Sequence, residues 1–284
     1  MASNNNIAEL YGVSISNEDA DWSELVDSQN CPYLDRKCLK NRKSEAELTI
    51  GTCSVTYGKD QNDIIICPHR LLERRQIFTD CLHLLTSHEP GNELHVVAEV
   101  GIPGGSVDYF LVSARDRKVK DFVAIELQTL DTTGTVWPFR QRFVNSKGIT
   151  AQQKDIDSKK PFGMNWKMTA KTILVQMHHK IVTFEHINKH LVLILQNHLL
   201  DYMAKEFSFS HISDNARVGD SMHFHAYSMN DDNGSYRIAL MERKSTDAEG
   251  ISTCLGLESE ARIELEEIIE KLEMKISDST LMTI

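Results

Sequence analysis

The sequence predicts a mixed α/β chain, a β-sheet carrying helices, and three observations predict it. Two strand-like runs, residues 107–112 and 122–128, flank a charged segment at 114–121 in the manner of a hairpin. Residues 191–195 are an unbroken apolar run, as in a central strand, and 199–207 read as the helix that follows. Ahead of both, four cysteines crowd residues 31–67 beside prolines and glycines.

The chain has 284 residues, enough for one large domain or two modest ones. Its 41% hydrophobic and 25% charged residues are ordinary for a soluble globular protein. No apolar run is long enough for a bilayer, and the polar start Met1-Ala2-Ser3-Asn4-Asn5-Asn6 does not read as a signal peptide. The expectation is a cytoplasmic protein with no membrane partner. A net charge of -10 argues against coating nucleic acid nonspecifically, yet Arg36, Lys37, Lys40, Arg42, Lys43, Arg70, Arg74 and Arg75 make the first quarter locally basic.

Taken in order, residues 1–30 read as a helical or loosely packed lead-in with short amphipathic pieces such as 22–26. Cys31, Cys38, Cys53 and Cys67 follow, with the turns Cys31-Pro32, Gly51-Thr52-Cys53 and Cys67-Pro68 around them. Such turns let several thiolates converge on one ion, and buried free thiols in a small β unit are the alternative. Residues 52–57 and 63–67 read as two short strands, and 70–85 has helical spacing of Leu71, Leu72, Ile77, Phe78, Leu82 and Leu85. Cys81 and Cys254 read as packing residues. Pro90-Gly91-Asn92 marks a turn and a boundary between an amino-terminal module, 1–90, and a core, 91–284. Residues 94–100 are strand-like. The glycine-rich loop 101–106 lacks the Lys-Ser/Thr of a phosphate loop and precedes a strand, which excludes a nucleotide cofactor.

Beyond the hairpin, Trp137-Pro138-Phe139-Arg140-Gln141-Arg142-Phe143 suits either a nucleic-acid backbone or a helix start with snorkelling arginines. Residues 150–162 read as an exposed loop. Asn165-Trp166 opens a helix to about His179, with Lys167, Lys171 and Lys180 offering positive charge. Residues 222–229 and 236–241 read as paired strands, and His223 and His225 read as same-face strand histidines rather than metal ligands. Residues 258–275 read as an amphipathic helix.

The chemistry concentrates in the hairpin. Side chains on a strand alternate, so Glu126 and Gln128 share one face. Asp108 starts the first strand, where pairing brings it toward Glu126. Two convergent carboxylates make an oxygen site for a hard cation such as Mg²⁺. Glu99 offers a further carboxylate. Alone, a Glu-x-Gln strand also suits a solvated face.

Together these residues carry a resemblance. Cys31-Pro32-Tyr33, Cys38, Gly51-Thr52-Cys53-Ser54-Val55-Thr56, Ile64-Ile65-Ile66-Cys67-Pro68-His69-Arg70, Val107-Asp108-Tyr109, Ile125-Glu126-Leu127-Gln128 and Gly163-Met164-Asn165-Trp166 make the chain similar to the restriction endonucleases related to NotI and EagI, collinearly from about residue 31 to 180. The resemblance implies a PD-(D/E)xK nuclease core behind an amino-terminal module that holds one structural metal ion, iron or zinc, on Cys31, Cys38, Cys53 and Cys67. It implies catalytic places for Asp108, Glu126 and Gln128, with Glu99 an extra metal ligand. The Gln in place of the usual Lys is shared with that family. It further implies Mg²⁺-dependent hydrolysis of double-stranded DNA by a homodimer at a palindromic, G·C-rich site. Arg70, Arg140, Arg142, Asn165 and Lys167 are candidates for touching DNA, since arginine on guanine is the commonest base-specific contact. The competing expectations are a nuclease of low specificity and a thiolate-metal DNA-binding protein without chemistry.

Overall fold

A computed structural model describes residues 6–232 and 234–257. Two sheets organise them. The smaller has four strands, of which β1 (Asn6–Leu10), β2 (Thr52–Tyr57) and β3 (Asn62–Ile65) stand side by side, and Val13–Ser14 adds a short edge. Within the lead-in expected to be helical or loosely packed, a helix does form at Trp22–Ser28, around the amphipathic piece 22–26, but Asn6–Leu10 is the strand β1. Its Ile7, Ala8, Glu9 and Leu10 are all buried, and the buried Glu9 hides the strand from a reading by hydrophobic pattern.

The larger sheet is built from β4 (Glu93–Ile102), β5 (Gly105–Arg115), β6 (Lys118–Leu127), β7 (His190–Gln196), β8 (Met222–Asp232) and β9 (Ser235–Thr246). Their spatial order is β9-β8-β7-β6-β5-β4. The β4-β5-β6 meander is antiparallel, β6-β7-β8 run parallel, and β9 returns antiparallel on β8, so the sheet is mixed, as a restriction-endonuclease-like core requires. The hairpin of β5 and β6 is tighter than the expected 114–121 turn. Asp116 and Arg117 both take positive φ between the paired Arg115 and Lys118, the backbone of a two-residue turn that follows strand twist.

Parallel pairing demands crossovers, and helices supply them. The helix α1 (Trp137–Ser146) and the long α2 (Trp166–His186) lie between β6 and β7. The helix α3 (Asn197–Glu206) links β7 to β8, and α4 (Ala248–Leu255) follows β9. On one face of the sheet Ile173, Leu174, Met177 and Phe184 of α2 pack on Ala124, Leu191, Leu193 and Leu195. On the other, Leu71, Ile77, Phe78 and Leu84 pack on Val123, Ile125, Val192 and Ile194. Burial on both faces explains why β7 reads as a continuous apolar run. Val55 and Ile64 of the smaller sheet, and Ile66 just after it, belong to the α2-side core, so apolar packing runs across residue 90.

The helix expected over 70–85 is broken into Pro68–Arg75, Gln76–Asp80 and Leu82–Leu84. The break falls where Glu73 is extended and Arg74 and Arg75 take positive φ. Glu73 is drawn inward there by Arg70, Arg237 and the Ile238 amide. The helix expected over 258–275 lies outside the described residues. Among the described residues no helix is long and apolar enough to cross a membrane.

Candidate active site

The face of β5 and β6 turned toward α2 carries the acids. The register Tyr109↔Ile125 sets Asp108 across from Glu126. The Leu127 amide donates to Asp108 Oδ2 at 2.9 Å, which ties the two strands together at the pair. Glu126 is 2% exposed, a carboxylate buried under a helix, while Asp108 is half-buried. On the far side, Val107↔Val100 and Tyr109↔Ala98 bracket Asp108 and Glu99, so Glu99 stands opposite Asp108 on β4. Glu99 is exposed and takes φ 55, a left-handed backbone inside a strand.

Lys180 answers the burial of Glu126. Its Nζ donates to Glu126 Oε1 at 2.6 Å, and both side chains are closed off from solvent. Burial drives the Glu126 carboxyl up to about 7, against the pull of the Lys180 hydrogen bond, and the Asp108 charge pushes the same way as burial. One turn before Lys180, Gln176 Oε1 lies 3.5 Å from Gln128 Nε2. The match is geometric: two residues along a strand and four along a helix both advance about 6 Å, so α2 lays Lys180 and Gln176 beside Glu126 and Gln128 in turn. Lys180 had a signal in the sequence. It interrupts the apolar stripe of Ile173, Met177, Ile181 and Phe184, where an unpaired lysine would be costly.

Gln128 opens onto a cavity of about 400 Å³. Cys31, Cys38, Cys53, Cys67 and His69 line the same cavity. Burial is the first cause that raises the thiols of Cys31, Cys53 and Cys67, and neighbouring thiolates raise them further. Backbone donors oppose this. The amides of Tyr33 and Leu34 act on Cys31, Gly12 on Cys53 and His69 on Cys67. The Cys31-Pro32 and Cys67-Pro68 turns thus aim N–H groups at sulfur, which offsets part of the burial that keeps these thiols protonated. These donors suit a soft or borderline metal. Even so, among the described residues no group of three or more His, Cys, Asp or Glu side chains is drawn to metal-ligating range, either at the thiols or around Asp108, Glu126 and Glu99.

The basic candidates separate sharply. Arg70 is 1% exposed, bonded to Glu9, Glu73 and the Tyr236 carbonyl. Arg140 is also buried, donating to the Ile50 carbonyl, Gln141 and the Tyr11 hydroxyl over the Trp137 ring. Both guanidiniums are occupied inside the protein. Arg142 is half-buried and donates to the carbonyls of Ile156 and Ser158. Asn165 takes the N-cap position of α2, half-buried and without a side-chain cap bond, and the Lys167 side chain is 72% exposed beside Glu206. A groove of about 850 Å³ is bordered by Lys40, Arg42, Lys43, Lys154 and Lys160, with Asp155 and Asp157 also lining it and Arg42 paired to Asp155. Its first half was visible as the basic run after Cys31, its second half only in three dimensions.

No curated protein matches the chain. The model of one family, described as restriction endonuclease NotI, matches residues 26–237, a span that holds the four thiols, the Asp108–Glu126 pair and Lys180. The chain belongs to the NotI restriction endonuclease family.

Proposed function

We propose that this restriction endonuclease is a type II enzyme: a cytoplasmic homodimer that hydrolyses both strands of DNA at a palindromic, G·C-rich site with Mg²⁺. The observation that supports it most is the Asp108–Glu126 pair, aligned across two hydrogen-bonded strands and tied by the Leu127 amide. The donor set fits a hard cation. Each carboxylate offers about four lone-pair sites, and Lys180 takes one of those on Glu126. Held by Asp108 and Glu126, with Glu99 as a further ligand, Mg²⁺ would supply charge relief at the phosphate and a more acidic water.

The chain's own residues do the positioning. Gln128 is neutral, so it orients the attacking water by hydrogen bonding, and Gln176 holds its amide from the other side. The bond from the water oxygen to phosphorus forms as the bond to the 3′ oxygen breaks. One water proton leaves to solvent and the 3′ oxygen takes one up. Two copies of the site, related by a two-fold axis, match a palindrome.

In this reading residues 1–90 build the DNA-binding module and 91–284 carry the chemistry. Lys40, Lys43, Lys154 and Lys160 track the phosphate backbone, and Asn165, Lys167 and Arg142 reach the duplex from α2 and α1. One iron or zinc on Cys31, Cys38, Cys53 and Cys67 stiffens the module. The shared cavity and the amides aimed at sulfur favour it. Elemental analysis of purified protein should find about one equivalent of iron plus zinc per chain, and less than about half would remove this part.

The test of the whole is direct. The protein is incubated with Mg²⁺ and a sequenced phage genome, and the ends are mapped. Discrete ends sharing one sequence are expected. A smear, uncut DNA, or equal cutting by Glu126→Ala would overturn the proposal.

A further inference from the structure

The proposed chemistry leaves the buried charge of Lys180 without a task of its own, and the glycine-rich loop 101–106 without a reason. They meet. Thr183 Oγ1 donates to the Pro103 carbonyl at 3.2 Å, which fastens the β4–β5 turn onto α2. At Gly104, φ is +95 and an added Cβ would lie 2.6 Å from the His179 carbonyl oxygen. At Gly105 an added Cβ would lie 3.4 Å from Lys180 Cε. Two glycines in succession therefore let the turn close over α2, and the lysine stem runs beneath it to Glu126. Few positions in a protein accept a lysine this enclosed unless a partner answers its charge.

We propose that Lys180 is the fixed cation of the active site, brought to Glu126 by α2 rather than by the strand position that Gln128 occupies. This rests on the nuclease reading above. The Asp…Glu-x-Lys signature places a lysine two residues after the glutamate, on the same strand face. Here that place holds a neutral amide, and the ammonium arrives at the same carboxylate from the helix packed on that face. Lys180 forms no bond and transfers no proton. It holds the Glu126 carboxyl aimed, and it adds positive charge where the phosphate develops negative charge.

Lys180→Met keeps the apolar stem and removes the charge. Single-turnover cutting of the sequenced phage DNA should slow by about 10²-fold or more. Adding Gln128→Lys to that variant should recover at least tenfold, because a lysine there reaches the same carboxylate along the strand. A purely structural lysine would not be replaced from position 128. Cutting by Lys180→Met at the wild-type rate, or a loss that Gln128→Lys does not recover, overturns the proposal. Should Lys180→Met melt below the assay temperature, Lys180→Gln takes its place with the same two outcomes.

A second readout needs neither metal nor turnover. Thermal melting of metal-free protein across Lys180→Met, Glu126→Gln and the double variant should be non-additive if the pair is formed, and additive shifts overturn it. The nuclease reading fails separately. If wild-type protein leaves the DNA intact, or Glu126→Ala cuts it, that reading falls and the role of Lys180 with it. If wild type cuts, Glu126→Ala does not and Lys180→Met cuts normally, only the lysine proposal is lost.

Discussion

Two clusters of buried charge differ in how completely they are satisfied. Around Arg70 every strong donor finds an acceptor. Its Nε meets Glu9, one terminal nitrogen meets Glu73 and the other the Tyr236 carbonyl. Glu9 also accepts from Ser54, and Glu73 from Arg237 and the Ile238 amide. Around Glu126 the closure is partial. One ammonium faces it, Asp108 crowds it with like charge, and Gln128 beside it opens onto a cavity. A saturated cluster holds elements together, whereas one with acceptor capacity to spare and a way in from solvent can receive something.

That contrast breaks if the first cluster proves dispensable. Arg70→Met leaves the buried Glu9 carboxylate without its cation, and Glu73 with Arg237 alone, and should cost about 3–5 kcal/mol of unfolding free energy. Urea unfolding measures it. A loss under about 1 kcal/mol would mean that Glu9 and Glu73 find other partners and the cluster is not structural.

The contrast sharpens at the second cluster. Glu126→Gln keeps an oxygen for Lys180 to donate to but removes the charge that answers it, so stability at pH 7 should fall by less than with Arg70→Met, about 1–3 kcal/mol. Cutting of DNA should fall by at least about 10²-fold, since the carboxylate that faces the reaction is gone. Parallel loss of folding and cutting would place Glu126 with the structural charges instead.

Two histidines form an intermediate case, buried with nothing to take up their charge. His223 Nδ1 and His225 Nε2 are enclosed without a partner. Burial is the main cause that pushes His223 down to about 4 and His225 to about 2. His190 and His83 add like charge at His223, and Arg243, His223 and His83 at His225, while Asp220 pulls weakly the other way on His223. Both are neutral in folded and unfolded chains above pH 6.5. As pH falls from 6.5 toward 4, the unfolded chain takes up protons that the folded one refuses. Stability should therefore decline over that window, by up to about 1.4 kcal/mol per pH unit for each histidine. Melting curves from pH 7.5 to 4.5 follow it, and His225→Leu should flatten the slope. An unchanged slope would assign the acid sensitivity to carboxylates.

How much of this was legible depends on the range of the interaction. Asp108 and Glu126 were readable because period-two alternation in one hairpin decides their face, and the turn between them is local. The thiol block was readable as four cysteines beside turns, and the structure sets them along one cavity without drawing them to metal-ligating range. Arg70 was not readable as buried, since its answer, Glu9, lies on a strand far upstream that the polar start of the chain conceals. The burial of Arg140 was hidden in the same way, its acceptors being Tyr11 and the Ile50 carbonyl. Lys180 lay between these cases. Its misfit in an apolar stripe was visible, but the carboxylate that explains it comes into range only when α2 crosses back over the sheet.

The smallest expected effect tests the open end of the comparison. Lys167 is exposed, and its contact with Glu206 is of the solvent-screened kind, so Lys167→Ala should leave the melting temperature unchanged. If the start of α2 faces the duplex, the same change should weaken DNA binding about equally for all sequences. It should also lower the slope of log affinity against log salt by about one. Arg70→Met, measured on protein that remains folded, should leave that slope alone, because its guanidinium is turned inward. A slope that moves with Arg70 and not with Lys167 would reverse the assignment of these two cations, one to the fold and the other to DNA.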